Sequence, residues 1–307
     1  MSGLGQDNAR WVIPRGTAAH DGFDVVVDDR REGWKHTGLR VWTAVEGETV
    51  TISDDGFEHI VVPLTGPVRV TATDVTGETS SVDLVGRTSV FAGPTDVAYV
   101  PAGSALTLTG IADGARIAVC AAAVEHPSGQ EFRHLPASQV PVELRGAGVA
   151  SREVRNFGQP NVLDADQIIA CEVITPAGNW SSYPPHKHDE ARPGEETELE
   201  EIYYFEVQTQ DGSDHGDPVG YQRVYGTESR PIDVLAEVHT GDVVLVPHGW
   251  HGPATAPPGY DLYYLNVMAG PGDERAWLIC DDPNHGWVRD AWGDQEIDPR
   301  LPLGGKS

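Results

Sequence analysis

The segment Pro184-Pro185-His186-Lys187-His188 places two histidines two positions apart. An acidic stretch follows, then Glu201-Ile202-Tyr203-Tyr204-Phe205, and later Gly241-Asp242-Val243-Val244-Leu245-Val246-Pro247-His248-Gly249-Trp250-His251. Residues i and i+2 of a strand share a face, so His186 and His188 can point the same way. Three imidazoles and a carboxylate form a mixed nitrogen–oxygen shell suited to Zn, Mn, Fe, Co or Ni, with positions left for water or substrate. Alone, an HxH pair is commonly surface histidine, and a single His251 in a glycine-rich turn says little. In this order, between strand-like runs, the four read as one divalent-metal site.

Five glutamates compete for the carboxylate position: Glu195, Glu196, Glu198, Glu200 and Glu201. Alternation favours Glu201, which shares a strand face with Tyr203 and Phe205, while Ile202, Tyr204 and Glu206 share the other. The earlier glutamates lie in Ala191–Glu200, expected to be a mobile, solvated loop. His248 occupies the variable position of the Pro-x-Gly turn and reads as a residue of the site's mouth. His20, His36, His59, His126, His134, His215, His239 and His285 lack partner spacing and default to structural or exposed roles.

The elements that must position these groups are short strands. Runs of Val, Ile, Thr and Tyr between Gly, Pro and Asp clusters predict strands at Leu39–Val45, His59–Leu64, Val68–Thr73, Val97–Pro101 and Arg116–Val124. A second series follows at Gln167–Thr175, Ile202–Val207, Val219–Tyr225, Val243–Pro247 and Tyr260–Val267. Without a convincing long amphipathic helix, this spacing points to an all-β sandwich or barrel. Val97–Gly103 (VAYVPAG) parallels Val243–Gly249 (VVLVPHG), which suggests an internal repeat of one β-domain. The boundary falls in the Pro-, Gly- and Ser-rich segment between Pro127 and Ala150, dividing the chain into 1–140 and 141–307. The three tryptophans after Ala276 are expected to cover a domain face or an interface, and the final DPRLPLGGKS to run extended and fray.

At 307 residues, the chain can bury two cores of about 150 residues each without staples. Cys120, Cys171 and Cys280 are odd in number and lack CxxC spacing; the first two lie in apolar runs and read as buried thiols. A formal net charge of -26 disfavours phosphate backbones and anionic membrane surfaces. It does not constrain the substrate, because one local arginine can capture a carboxylate. No apolar run approaches the roughly 20 residues that span a bilayer. The opening MSGLGQDNARWVIPRG lacks a signal-peptide core, so the cytoplasm is the expected location.

Together these motifs resemble the two cupin motifs. More specifically, Gly178–Glu190, Leu199–Phe205, Tyr221–Gly226, Asp242–His251 and Ala256–Pro271 resemble the 5-deoxy-glucuronate isomerase family of myo-inositol catabolism. Those two-cupin enzymes are related to the pectin-pathway 5-dehydro-4-deoxy-glucuronate isomerases. The likeness is dense from Asn156 to Pro302 and thinner before it; FAGPTDVAYVPAG has no accompanying HxH, so the first half resembles the family's metal-free partner domain. The resemblance implies a bicupin of two jelly-roll-like β-barrels, a possible homo-oligomer, acting on a small sugar acid. It implies the aldose–ketose conversion of 5-deoxy-glucuronate to 5-dehydro-2-deoxy-gluconate. This requires removal of a weakly acidic proton beside a carbonyl, which a divalent ion assists without changing redox state; Zn is adequate.

The substrate carboxylate then needs a cation. Arg223 is the candidate, sharing a strand face with Tyr221 and Tyr225. Lys187 projects away from its neighbouring histidines. Tyr203 and Tyr264 are further candidates to touch substrate, although which face of Asp261–Met268 looks inward stays open. A tyrosine hydroxyl, a metal-bound hydroxide or a carboxylate would each serve as base, and none is assigned. The same ligand set also suits a dioxygenase, and a non-catalytic sugar-binding bicupin would carry similar motifs.

Overall fold

The computed structural model describes residues 4–53 and 56–304. Its strands form four antiparallel sheets. All ten expected strands are present, with ends shifted by a few residues; Phe57–Thr65, Glu200–Thr209 and Tyr260–Ala269 are longer than expected. Among the strands the expectation missed are Thr49–Ile52, Ala105–Gly110 and Asp233–Val238, whose polar, half-exposed residues blunt the apolar pattern, and Arg152–Arg155, which is buried but carries three charged residues.

An outer sheet of the first half runs Thr49–Ile52, Ala105–Gly110, Val68–Thr73, Thr79–Leu84. Val68, Val70, Leu106 and Leu108 from it pack on Val61, Ile117 and Val119 of an inner six-stranded sheet. The opposite face of that inner sheet, with Ile60, Val62, Ala118 and Cys120, packs in one core with the second half. Burial on both faces explains why Arg116–Ala123 reads as a continuous apolar run while Val68–Thr73 alternates.

A seven-stranded sheet begins the second half and includes Glu200–Thr209, Tyr260–Ala269, Ile169–Thr175, Arg152–Arg155 and Val142–Arg145. One edge is Val12–Ile13, which pairs with Val243–Val246, so the chain's start is built into the second half's sheet. The last sheet orders Asp233–Val238, Gly220–Tyr225, Trp250–Thr255, His186–Lys187 and Cys280–Asp281.

Buried carboxylates join the halves reciprocally. Glu58, at the start of its strand, accepts from the amides of Asp166, Gln167 and Ile168 ahead of Ile169–Thr175. Glu200, at the start of Glu200–Thr209, accepts from the amides of His36 and Thr37 at the opening of Thr37–Thr43. Val97–Val100 pairs with Phe57–Thr65 as Val243–Val246 pairs with Glu200–Thr209. By that correspondence, His59 stands where the second half has Glu201. Buried without a hydrogen-bond partner, His59 is pushed down to about 3 by desolvation and the nearby Arg40.

The segment after His188 is largely exposed, as the sequence suggests, but Glu196 within it is not. Glu196 is buried and accepts from Lys187 Nζ at 2.8 Å and the Asp189 amide at 2.8 Å; it also pairs with Arg192. Bonds from Lys187, Asp189, Glu190 and Arg192 to this one carboxylate outweigh the exposure that the acidic composition suggests. Leu301 is buried and Arg300 bonds the carbonyl of Ala177, so the tail is anchored there; residues 305–307, included in the fraying expectation, lie outside the described residues, as do Met1–Gly3 of the opening segment. Among the described residues, no helix is long and apolar enough to cross a membrane.

Candidate metal centre

His186, His188 and His251 come together as one buried group whose ligand-type nitrogens lie within 4.8 Å of one another. His186 pairs directly with His251 across neighbouring strands, so sheet register sets their approach. Glu201 enters from the facing sheet: its Oε2 is 3.1 Å from both His188 Nε2 and His251 Nε2. Glu200 points away, toward the first half. Tyr203 and Phe205 stack on the Glu201 face with ring centroids 5.9 Å apart.

Each imidazole has its Nδ1 near a backbone carbonyl: Pro184 at 3.4 Å for His186, Leu199 at 3.2 Å for His188, Gly249 at 3.3 Å for His251. Donation from Nδ1–H selects the tautomer whose Nε2 lone pair is free, the usual preparation of a histidine ligand. Burial, with the neighbouring His251 and His188, holds His186 well below its ordinary value and therefore neutral. For His188, burial acts downward, but the bond and charge of Glu201 outweigh it and raise the group. Burial acts upward on Glu201, and the adjoining imidazoles outweigh it and lower the carboxyl. His251 Nε2 is buried and makes no hydrogen bond of good geometry. Three convergent neutral-capable imidazoles, an ionised carboxylate and an orphaned buried nitrogen fit a divalent cation.

Asp189 braces the centre. Its Oδ2 accepts from the Gly249 amide at 2.8 Å and from Arg230 at 3.0 Å, and its Oδ1 from Lys187 at 2.7 Å. This ties the HxH segment to the turn carrying His251. Gly252 (φ +103°) follows His251, and a Cβ there would meet the Ser182 carbonyl oxygen at 1.8 Å. Gly252→Ala is expected to cost about 2 kcal/mol or more, from left-handed backbone and collision together. Melting temperature and metal content should both fall, and an alanine variant matching wild type in both would rule out this close approach.

A cavity of about 330 Å³ adjoins the centre, lined by His186, Tyr203, Tyr264, Asn266, Ser182, Trp277 and other side chains. Ser182 Oγ lies 3.2 Å from the Tyr203 hydroxyl and 3.1 Å from that of Tyr264. The inward face of Tyr260–Ala269 is thus the Tyr264–Asn266 face; Tyr263 points to the half–half interface, donating to Glu172 at 2.7 Å. Desolvation pushes Tyr264 up to about 12 and Tyr203 well above its ordinary value, so both stay protonated near neutrality.

Arg223 and Tyr221 do not reach this cavity. Gly220–Tyr225 buries Gln222 and Val224 and turns its odd residues outward: Arg223 pairs with Asp233 and lies 5.4 Å from the Tyr225 ring, and Tyr221 is 38% exposed and donates to Glu237 at 2.9 Å. Strand alternation had grouped these residues correctly but could not tell which face looked in. Sequence reasoning also missed the cavity's arginines, Arg145, Arg152 and Arg289. Their only sequence signal is the alternation within Arg152-Glu153-Val154-Arg155, in a stretch that otherwise reads as linker. The C-terminal aromatics, expected to cover a face, contribute Trp277 to the cavity wall, and Trp292 sits 5.6 Å from Arg152. Cys120 and Cys171 are buried free thiols, the latter pushed up to about 12 by desolvation.

The model of the KduI/IolB family matches residues 11–288. This chain belongs to the KduI/IolB family. Among KduI/IolB relatives, proteins named 5-deoxy-glucuronate isomerase from Geobacillus kaustophilus (strain HTA426) and Halalkalibacterium halodurans are similar to it. The first is 39% identical over 286 residues, 92% of this chain and 96% of the relative. The second is 37% identical over 292 residues, 94% and 99% of the two chains. An IolB-like protein of Salmonella typhimurium LT2 superposes with a TM-score of 0.79 at 34% identity, covering 91% of this chain and 98% of that one. Oxalate decarboxylase of Lactobacillus farciminis, a bicupin, shares the fold at TM-score 0.60 and 12% identity, over 92% and 89% of the chains. As a KduI/IolB protein with these relatives, the chain is an aldose–ketose isomerase with a cupin-type, nearly all-β fold.

Proposed function

We propose that this chain converts 5-deoxy-glucuronate to 5-dehydro-2-deoxy-gluconate in inositol catabolism, using one divalent ion, Zn, held by His186, His188, Glu201 and His251. The observation that carries this reading is the convergence of three buried imidazoles, each with Nδ1 turned to a backbone carbonyl, on the Glu201 carboxylate beside a cavity. When bound, the ion supplies Lewis-acid polarisation of the sugar carbonyl. Tyr203 and Tyr264, protonated and joined through Ser182, offer hydroxyls to orient the substrate's oxygens. Their raised values make them poor bases and competent donors.

Zinc-loaded protein is expected to form the ketose from 5-deoxy-glucuronate at the same rate with and without oxygen. It should do so faster than from the pectin-derived 5-dehydro-4-deoxy-glucuronate. No turnover by fully metallated protein would refute the assignment. Oxygen consumption would point to a dioxygenase.

A further inference from the structure

We propose that Arg152 is the residue that binds the substrate's carboxylate and so makes the site selective for sugar acids over neutral sugars; this rests on the isomerase reading above.

Alternation and register place it. In the seven-stranded sheet Arg152 stands directly across from Arg145, and Val154 across from both Glu143 and Val173. Val173 pairs in turn with Tyr264. Arg145, Arg152, Val154, Val173 and Tyr264 therefore line one face, and all five border the cavity that also holds His186. The alternate residues, Glu153, Arg155 and Glu172, form the ion network on the other face.

Two guanidiniums set directly opposite repel each other, and a third, Arg289, lines the same cavity. Two of the three are neutralised locally. Arg145 pairs with Glu143 at 2.8 Å, and Arg289 with Asp281, its Nη2 lying 2.7 Å from Oδ1. Arg152 is the exception. It is buried, its hydrogen bond goes to the Ala150 carbonyl at 3.1 Å, and it forms no ion pair with any carboxylate among the described residues. The Trp292 ring covers one side of it, 5.6 Å from Cζ. Desolvation, reinforced by the positive charges of Arg145 and Arg289 and only partly offset by Tyr264 and Glu143, pushes it down to about 10, so it remains charged at neutral pH.

A buried, uncompensated cation is costly and persists where it meets an anion in function. Three guanidiniums against two carboxylates leave one positive charge in this cavity, although the protein as a whole carries -26. A planar fork suits a carboxylate better than it suits a hydroxyl. With its acid end on Arg152, a small uronate points its other end toward His186 and the Tyr203–Tyr264 hydroxyls, which line the same cavity.

The test uses zinc-loaded wild type, Arg152→Gln and Arg152→Lys, with metal content and melting temperature measured on each. Calorimetry with D-glucuronate and with D-glucose reads binding; KM and kcat with 5-deoxy-glucuronate read turnover. Arg152→Gln should weaken glucuronate binding and raise KM on the order of 100-fold, the cost of losing a charged, doubly bonded partner. Arg152→Lys keeps the charge without the fork and should fall between. Glucose binding and zinc content should not change. Glucuronate binding and KM unaltered in both variants would overturn the proposal, as would equal losses for glucose and glucuronate. Arg152-dependent glucuronate binding without any turnover by wild type would sink the isomerase reading and leave the anchor standing. Turnover with unaltered KM in both variants would do the reverse.

Discussion

Replacing Glu201 with Gln is expected to empty the metal centre and remove isomerase activity, with kcat/KM and metal affinity each down by more than roughly 100-fold. Loss of a group that merely orients a ligand commonly costs 10–100-fold, so loss of a ligand must exceed that range. Gln keeps the shape but removes the negative charge that Glu201 places 3.1 Å from two imidazoles. Without it, three histidines face one another in a buried space with nothing to offset a divalent cation. His251→Ala should behave alike, because His251 contacts both Glu201 and, with ring centroids 4.4 Å apart, His186. Elemental analysis and the isomerase assay check both. His248→Ala is the control: His248 stands outside the group, so metal content should match wild type. A metal-replete, active Glu201→Gln would refute the ligand assignment.

Glu172→Gln should be strongly destabilising, costing about 3–5 kcal/mol at neutral pH. Glu172 pairs with Arg87, with side-chain exposures of 1% and 4%, lies 3.8 Å from fully buried Arg155, and accepts from Tyr263. Removing its charge strands Arg87 between the two halves. Burial acts upward on the Glu172 carboxyl, but the charge and bond of Arg87 outweigh it and hold it below its ordinary 4.5. A depressed folded value means the unfolded chain takes up the proton first. The contribution is therefore complete above about 4.5 and is lost as pH falls through the depressed folded value. The gap between variant and wild type should be largest near neutrality and shrink in acid. Thermal unfolding across that range measures it, with a Tm difference on the order of 10 °C at neutral pH. A pH-independent gap would show that Glu172 acts through packing instead of charge.

Much of this protein is determined locally. Period-two patterning and turn residues specify the strands, because a half-buried strand must alternate and a doubly buried one cannot. The metal-type group is local in the same sense: His186 and His188 sit two apart, Glu201 opens a strand, and His251 follows a Pro-x-Gly turn, so backbone direction alone constrains where they point. What alternation cannot decide is which of two faces looks into the site, since both are apolar when sheets stack in layers. Only packing settled that Tyr264 and Asn266 face inward, that Tyr263 faces the first half, and that Tyr221 and Arg223 face out. The same limit hid Glu196, buried by its bonds within a stretch whose acidic composition implied solvent. It also hid Arg152, whose meaning lies in which carboxylates its neighbours have already claimed. Charge balance inside a cavity is a property of side chains brought together from distant parts of the chain, and for these residues only the tertiary structure brings them together.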